Sequence, residues 1–377
     1  MNNKDHLLNF VEKLFQPKVR ARLKEYIQKR STLGPLIVEL DPTTACNFLC
    51  PDCINSNLLN KGQIESQRLF KLLQEFKRAG VKGIIFIGGG EPLCHTSMPQ
   101  PIIDAHKLGI EIGLTTNGLL INQFLDEIAK NVSWIRVSVD AAREETFSIL
   151  RPSHIPNSYE RVISNIKKLV QVKQGILGYS FLMVERYSPD GTLITNCHEI
   201  LDAALLAKKI GCDYFEFKPK VDSHHHLIPL SREVKRSLLQ QLPKLDSLNN
   251  DHFTVIYPKS IDHLLKGINP DQPKFYTTCP SLELRTVVTP RGIYPCPYKR
   301  GYEEAKIGST NDTVFDKYWR SRKRRTKTQA VNPQRDCSFY CIRHDLNILL
   351  LTLADTYDKG INLLPYIIPT ETNDIFI

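Results

Sequence analysis

The spacing of apolar positions changes along this 377-residue chain, and the changes predict its elements. Residues 1–33 are polar with apolar side chains at helical spacing: Leu7, Leu8, Val11, Leu14 and Phe15, then Val19, Leu23 and Ile27. Pro17 predicts a break into two helices there. Residues 36–41 (LIVELD) are a short apolar run that opens a rhythm of strands and helices. Further strands are expected over 83–88, 110–115, 134–139, 179–184 and 214–218, with helical patterns over 66–79, 99–108, 121–130, 158–172 and 198–210 between them. Strands that alternate with helices predict a parallel sheet with right-handed crossovers. Runs such as IIFI and YSFLMV are apolar at nearly every position, as expected where both faces of a sheet are covered. In such a sheet, open or curled into a barrel, functional loops follow the carboxyl ends of the strands. Cys46–Cys53, Gly88–Pro92, Thr116-Asn117-Gly118, Asp140 and Lys218-Pro219 all fall there.

After Pro219 the rhythm stops. Residues 221–275 read as a linker region with helices near 231–242 and 259–267. Residues 283–296 (ELRTVVTPRGIYPC) predict a hairpin turning at Pro290-Arg291-Gly292. A helix over 314–322 and a polar basic stretch follow, and the apolar LNILLLTLA is expected to dock on the body as a helix. The expected organisation is an N-terminal helical segment (1–35), a barrel-like body (36–220), the linker, a cysteine-bearing domain (276–345) and a tail (346–377).

With 41% hydrophobic and 24% charged residues, the composition is that of a globular protein and excludes bulk disorder. No apolar run approaches the roughly 20 residues that span a bilayer, and MNNKDHLLNF is not built like a secretory signal. The expectation is a cytoplasmic protein with no membrane partner. Lys and Arg exceed Asp and Glu by 50 to 40, giving +10, with the excess concentrated at Lys18–Arg30 and at SRKRR, Ser321–Arg325. A basic balance favours an anionic partner. Nucleic acid is not expected, because neither patch interleaves aromatics. The patches read either as solvated helix faces or as a surface steering an acidic peptide.

Ten cysteines in a reducing compartment point to metal ligands or catalysis rather than disulfides. Cys46-Asn-Phe-Leu-Cys50-Pro-Asp-Cys53 is a CxxxCxxC run with no fourth ligand nearby. Structural zinc wants a closed set of four, whereas a [4Fe–4S] cluster on three thiolates leaves one iron open. The run, followed by Gly88-Gly89-Gly90-Glu91-Pro92 after strand two, resembles the radical S-adenosylmethionine (SAM) superfamily. Ser138-Val139-Asp140 and Arg151 resemble that family's segments near the SAM ribose and carboxylate. The resemblance covers residues 36–220 and implies an α/β fold, an incomplete (β/α)6 TIM-like barrel. It also implies reductive cleavage of SAM to methionine and a 5′-deoxyadenosyl radical that takes hydrogen from substrate, with an electron donor such as flavodoxin or ferredoxin. Gly89, Gly90, Glu91, Thr116, Asn117, Ser138, Asp140 and Arg151 are then the expected SAM contacts. Asp52 departs from the family, which usually has an aromatic residue before the last cysteine.

Cys279, Cys296, Cys337 and Cys341 follow the body, and four cysteines can close a site around zinc or around a second [4Fe–4S] cluster. A cysteine, a hairpin, a cysteine and a distal pair resemble the auxiliary-cluster extensions of the same superfamily, in the shortened "twitch" form of the SPASM domain. Of the remaining thiols, Cys94 and Cys197 are expected on the functional side, where a thiol could return hydrogen to a carbon radical; Cys212 is expected in the core. His224-His225-His226 reads as a loop. Relatives of this kind modify ribosomally made precursor peptides, by backbone excision, epimerisation or crosslinking, or oxidise and epimerise aminosugars and cyclitols. The extended linker, the C-terminal tail and the basic patches favour a peptide, with leader binding left to a separate partner protein. The rival of a different class is a non-catalytic iron–sulfur protein.

Overall fold

The computed structural model describes residues 10–367 and residue 376. Strand one forms where the sequence places it. β1 (Ile37–Leu40) pairs in parallel with β2 (Gly83–Phe86), and the ladder continues through β3 (Glu111–Thr116), β4 (Trp134–Ser138), β5 (Ile176–Met183) and β8 (Tyr214–Pro219). Helices over Ser66–Ala79, Gln100–Lys107, Leu125–Asn131, Ser158–Val172 and Ile200–Ile210 make the crossovers. β6 (Glu185–Tyr187) and β7 (Leu193–Thr195) form a separate antiparallel hairpin beyond β5 that the apolar pattern does not announce.

The rhythm does not end at Pro219. β9 (Thr254–Ile256) adds to β8 in parallel, and at the other edge β10 (Arg285–Thr289) adds to β1 in parallel. β11 (Gly292–Tyr294) pairs antiparallel with β10, as the predicted hairpin requires. Among the described residues the result is one nine-stranded sheet in the order β11-β10-β1-β2-β3-β4-β5-β8-β9. The hairpin that carries Cys296 at its end therefore continues the sheet of the body. The segments with weak apolar period found places at the edges, where a three-residue strand needs only one neighbour.

Successive side chains of a strand point to opposite faces. Val38, Phe86, Leu114, Val137, Phe181 and Phe217 face the helices and join the main core. On the other face Ile37, Ile85 and Trp134 pack with Leu14, Leu23 and Ile27 near the N-terminus and with Leu346 and Leu350 of the helix His344–Asp358. That second cluster plugs the amino end of the sheet. Each fully buried leucine in it contributes about 1.5–3 kcal/mol. Above the plug the inner face turns polar, with Glu39, Arg136, Ser180, Glu216 and Lys218 at alternating positions. The sheet curls: Arg136 on β4 lies within electrostatic reach of Glu39 on β1, although two strands separate them in the order. Gly178 permits the curl at this level, since a Cβ there would stand 1.9 Å from the Tyr214 ring.

The break expected at Pro17 is present: a helix Phe10–Lys13 ends before it, and Pro17 opens the helix Pro17–Lys29, where a first-turn proline loses no helical hydrogen bond; residues 1–9, and with them Leu7 and Leu8, lie outside the described residues. Two expectations are corrected. The helix expected over 314–322 is two, Phe315–Trp319 and Arg322–Gln329. The basic stretch is no uniform solvated patch. Arg322, Lys323 and Arg325 are exposed, but Arg324 is fully buried, 2.7 Å from Glu283 and 3.7 Å over the Trp319 ring. No described helix is long and apolar enough to cross a membrane.

Candidate active site at the carboxyl edge of the sheet

The loop from Pro42 to Ile64 carries Cys46, Cys50 and Cys53. It is closed at its base by Thr44, whose amide and hydroxyl donate to the Gly62 carbonyl at 2.9 and 2.8 Å. Phe48, between the first two cysteines, is its anchor, buried edge-to-face on Phe147 at 5.8 Å. With Phe48 turned into the core, the three thiols stay at partly exposed positions around it. Burial raises the pKa of each thiol, and for Cys46 to about 11, with Glu91, Cys50 and Cys53 adding to the effect. Thiolates so placed need cationic compensation, such as a metal supplies. Arg151 offers some, with a guanidinium nitrogen 3.9 Å from Cys50 Sγ.

The glycine segment after β2 lies directly against this loop. The Glu91 amide donates to Ala45 O at 2.8 Å, and a Cβ on Gly90 would come within 2.3 Å of the same carbonyl, so only glycine fits. Glu91 is buried and accepts three hydrogen bonds, from Leu93 N (3.1 Å), Thr116 Oγ1 (2.7 Å) and Asn117 N (2.7 Å). Burial raises its pKa, opposed by these three donors and by Arg151. Asn117 also reaches Asn47 at 2.6 Å. Thr116 and Asn117 thus tie the third strand to the glycine segment and the cysteine loop.

At the end of β4, Asp140 takes a left-handed backbone (φ 63°). Its Oδ2 accepts from Arg151 at 2.8 Å, and its Oδ1 from Leu182 N at 2.7 Å. Ser138, the last residue of β4, lies opposite Ser180 on the inner face. Cys94 is half-buried, and its thiol is pushed up to about 12 by burial and by neighbouring Glu91 and Cys46. It stays protonated beside the first cysteine set. Cys197 is not brought there. It is 1% exposed in the core on the helix side, with Sγ 3.6 Å from Val184 O. Cys212 is buried in the core as expected.

The strand ends therefore gather Cys46, Cys50, Cys53, Gly89, Gly90, Glu91, Thr116, Asn117, Asp140 and Arg151 at one edge. Three thiols with backbone and carboxylate groups beside them fit a [4Fe–4S] cluster with one iron free for SAM. Bound there, the cluster supplies the electron that cleaves SAM.

The second set comes together from three segments. Burial raises the pKa of all four thiols, that of Cys337 to about 11, and the charges of the other cysteines add to it at Cys279, Cys296 and Cys337, so the four lie within electrostatic reach of one another. Asn347 donates to Cys279 Sγ at 3.5 Å. Aromatic rings roof the set: Tyr298 stands 4.5 Å from Phe339, and His225 packs on both. The His triplet is a loop, as expected, with His225 packed and His224 exposed. Among the described residues, no three His, Cys, Asp or Glu side chains are drawn as close as one shared ion would hold them; a four-iron cube holds thiolates farther apart.

Sequence reasoning missed the buried charges between the two sets. Glu39 on β1 accepts from Arg285 Nε (2.8 Å) and Arg300 (2.7 Å), and Arg343 stands 3.8 Å away. Burial pushes Glu39 up, but the three arginines outweigh it and hold the carboxyl at about 2. Asp41 is equally buried, with only Arg300 at 3.0 Å and the Gly89 amide to oppose desolvation, and is pushed up to about 7. The cue was available: polar residues interrupt an otherwise apolar LIVELD.

The profile of the Radical SAM superfamily matches residues 40–190. GTP 3′,8-cyclase of Clostridium acetobutylicum is 22% identical over 290 residues, 74% of this chain and 86% of that protein. A probable GTP 3′,8-cyclase of Archaeoglobus fulgidus is 29% identical over 132 residues, 34% of this chain and 43% of the relative, so the match spans less than half of its length. Among solved structures, Streptococcus suis SuiB bound to precursor peptide SuiA superposes with a TM-score of 0.60 at 14% identity, over 86% of this chain and 75% of that one. anSMEcpe with bound AdoMet gives 0.57 at 14%, over 89% and 100%. At such identities the superpositions speak for the fold, a partial TIM-like barrel with further elements after it. Motif, site and fold agree: residues 40–190 are a domain of the radical SAM superfamily, whose members are enzymes that use SAM and a [4Fe–4S] cluster.

Proposed function

We propose that the protein modifies a ribosomally made peptide by hydrogen abstraction, with residues 276–345 holding an auxiliary [4Fe–4S] cluster on Cys279, Cys296, Cys337 and Cys341. The observation that carries this reading is the extent of the likeness to the peptide-bound SuiB structure, which runs through 86% of the chain and so includes elements beyond the barrel. In this reading Cys46, Cys50 and Cys53 hold the first cluster. Gly89, Gly90 and Glu91 bind the amino end of SAM, and Ser138, Asp140 and Arg151 its ribose and carboxylate. Arg151 reaches SAM while braced by Asp140, so its orientation is set before SAM binds. Cys94, protonated and beside the first set, is the thiol placed to return a hydrogen; Cys197 is not. A separate leader-binding protein and a small electron donor complete the system.

The test is mass spectrometry. Reduced, reconstituted protein with SAM is given the short peptides encoded beside its gene. A mass loss of two hydrogens marks a crosslink, exchange of one hydrogen for solvent deuterium marks epimerisation, and a larger loss marks excision. A second reading, a nucleotide substrate, is favoured by the GTP cyclases among the sequence relatives. Conversion of GTP with no peptide modified would replace the first reading by the second.

A further inference from the structure

The charges on the inner face near the SAM site do not balance. Arg151 is matched by Asp140 at 2.8 Å, and Arg136 by Glu216 at 3.2 Å. Glu39 and Asp41, farther round the same face, stand among three arginines, Arg285, Arg300 and Arg343, each within 4 Å of a carboxylate. Lys218 remains. It is half-buried on β8, two residues from Glu216, and feels Arg136 and Arg151 as well as Glu216 and Asp140. Among the described residues no carboxylate lies at ion-pair distance from its ammonium, whereas its neighbours' charges are paired. Burial and Arg136 both lower its pKa, the mark of a cation short of a counter-charge.

The excess continues outward. Lys220, just past the end of β8, shares Asp52 with Arg186, whose Nε stands 3.0 Å from that carboxylate. One buried acid thus holds two cations at the rim. Glu185, beside Arg186, is turned to the Ser231 amide at 3.1 Å. From rim to interior the path carries Arg186, Lys220, Lys218, Arg136 and Arg151 against Asp52, Asp140 and Glu216, an excess of two positive charges that falls to one when Glu91, within reach of Arg151, is counted. An excess of one sign at partly buried positions draws an anion inward.

We propose that Lys218 is an anion subsite, which seats an aspartate or glutamate carboxylate of the substrate peptide next to the SAM site, with Arg186 and Lys220 forming its entrance. This rests on the peptide reading above. It gives Asp52 a role as the counter-charge that keeps the entrance pair together. An ammonium on a four-carbon stem can follow a carboxylate over a range of poses, which suits a flexible peptide.

The experiment is calorimetric titration of SAM-loaded, reconstituted protein with three probes: a capped pentapeptide with a central glutamate, the same peptide with glutamine, and GTP. The glutamate peptide is expected to bind about ten-fold or more tightly than the glutamine peptide, as a charge-assisted contact implies. Lys218→Met should erase the difference and Lys218→Arg should retain it, with iron content and melting temperature as checks on folding. Arg325→Gln, on the exposed outer helix, should change nothing. If GTP binding alone depends on Lys218, the subsite stands and the peptide reading falls. If neither probe's affinity responds to Lys218→Met in a folded, iron-loaded protein, the subsite is overturned and the peptide reading is untouched.

Discussion

The two cysteine sets are built in opposite ways. The first is one short run whose geometry is local: a closed loop base at Thr44, a buried Phe48, and thiols on the exposed side. The second draws Cys279, Cys296 and the Cys337–Cys341 pair from a strand approach, a hairpin end and a late loop, and encloses them with Tyr298, Phe339 and Asn347. In the proposed reading, three ligands on an open loop would leave room for exchange at the metal, and four under an aromatic roof would not. The proposal accordingly gives the chemistry to the first set and the second a role that needs no substrate contact.

The sharpest way to break this contrast is to remove each set in turn. Replacing Cys46, Cys50 and Cys53 with alanine should abolish 5′-deoxyadenosine formation and reduce iron from about eight to about four per chain. Residual SAM cleavage in that variant would mean the open site lies elsewhere. Replacing Cys337 and Cys341 should also leave about four irons, and the cleavage signal of the first set should remain detectable. Zinc found in place of the lost iron would reassign the second set.

A middle-sized effect tests how far the second region depends on long-range contacts. Arg324 ties the helix Arg322–Gln329 to Glu283 just before β10. Breaking a buried pair leaves a buried charge, so Arg324→Ala should cost about 3–5 kcal/mol in chemical denaturation. Arg325→Ala, one residue on and exposed, should stay within about 0.5 kcal/mol. Equal effects would return the whole stretch to a solvated face.

The smallest effect concerns the charges between the sets. Asp41 is pushed up to about 7, so the folded protein holds its proton more tightly than the unfolded chain does. Its contribution is therefore favourable at low pH and is lost as pH rises from about 4 towards 7, by up to about 1.4 kcal/mol per pH unit. Glu39, held at about 2, acts in the opposite sense: its contribution is present above the usual carboxylate range and lost as pH falls towards 2. Asp41→Asn should flatten the stability profile between pH 5 and about 7, measured by denaturation at stepped pH. A slope unchanged from wild type would show that Asp41 stays ionised beside Arg300.

Much of the site was legible because its signals are local. CxxxCxxC needs only a loop, the glycines of Gly88–Gly90 need only a neighbouring carbonyl, and the strand ends follow from the period of the apolar runs. Thr116 and Asn117 were placed correctly because any residue at a parallel strand's carboxyl end faces the same edge. Cys197 was misjudged for a related reason. Sequence order puts it after β5, but the intervening β6–β7 hairpin returns the chain to the helix side, where the thiol is sealed.

What the sequence determined by itself was the parallel body, the first cysteine set and the hairpin beneath the second, since apolar period, glycine and turn chemistry act over a few residues. Tertiary structure alone decided that β10 joins β1 and β9 joins β8, that Arg324 is buried while its neighbours are not, and that Glu39 and Asp41 stand among arginines from distant segments. It also decided that, among the described residues, Lys218 has no carboxylate at ion-pair distance. Charge balance is a property of the folded surroundings: an ion pair forms when the chain brings two groups within a few ångströms, and no spacing along the sequence records that distance.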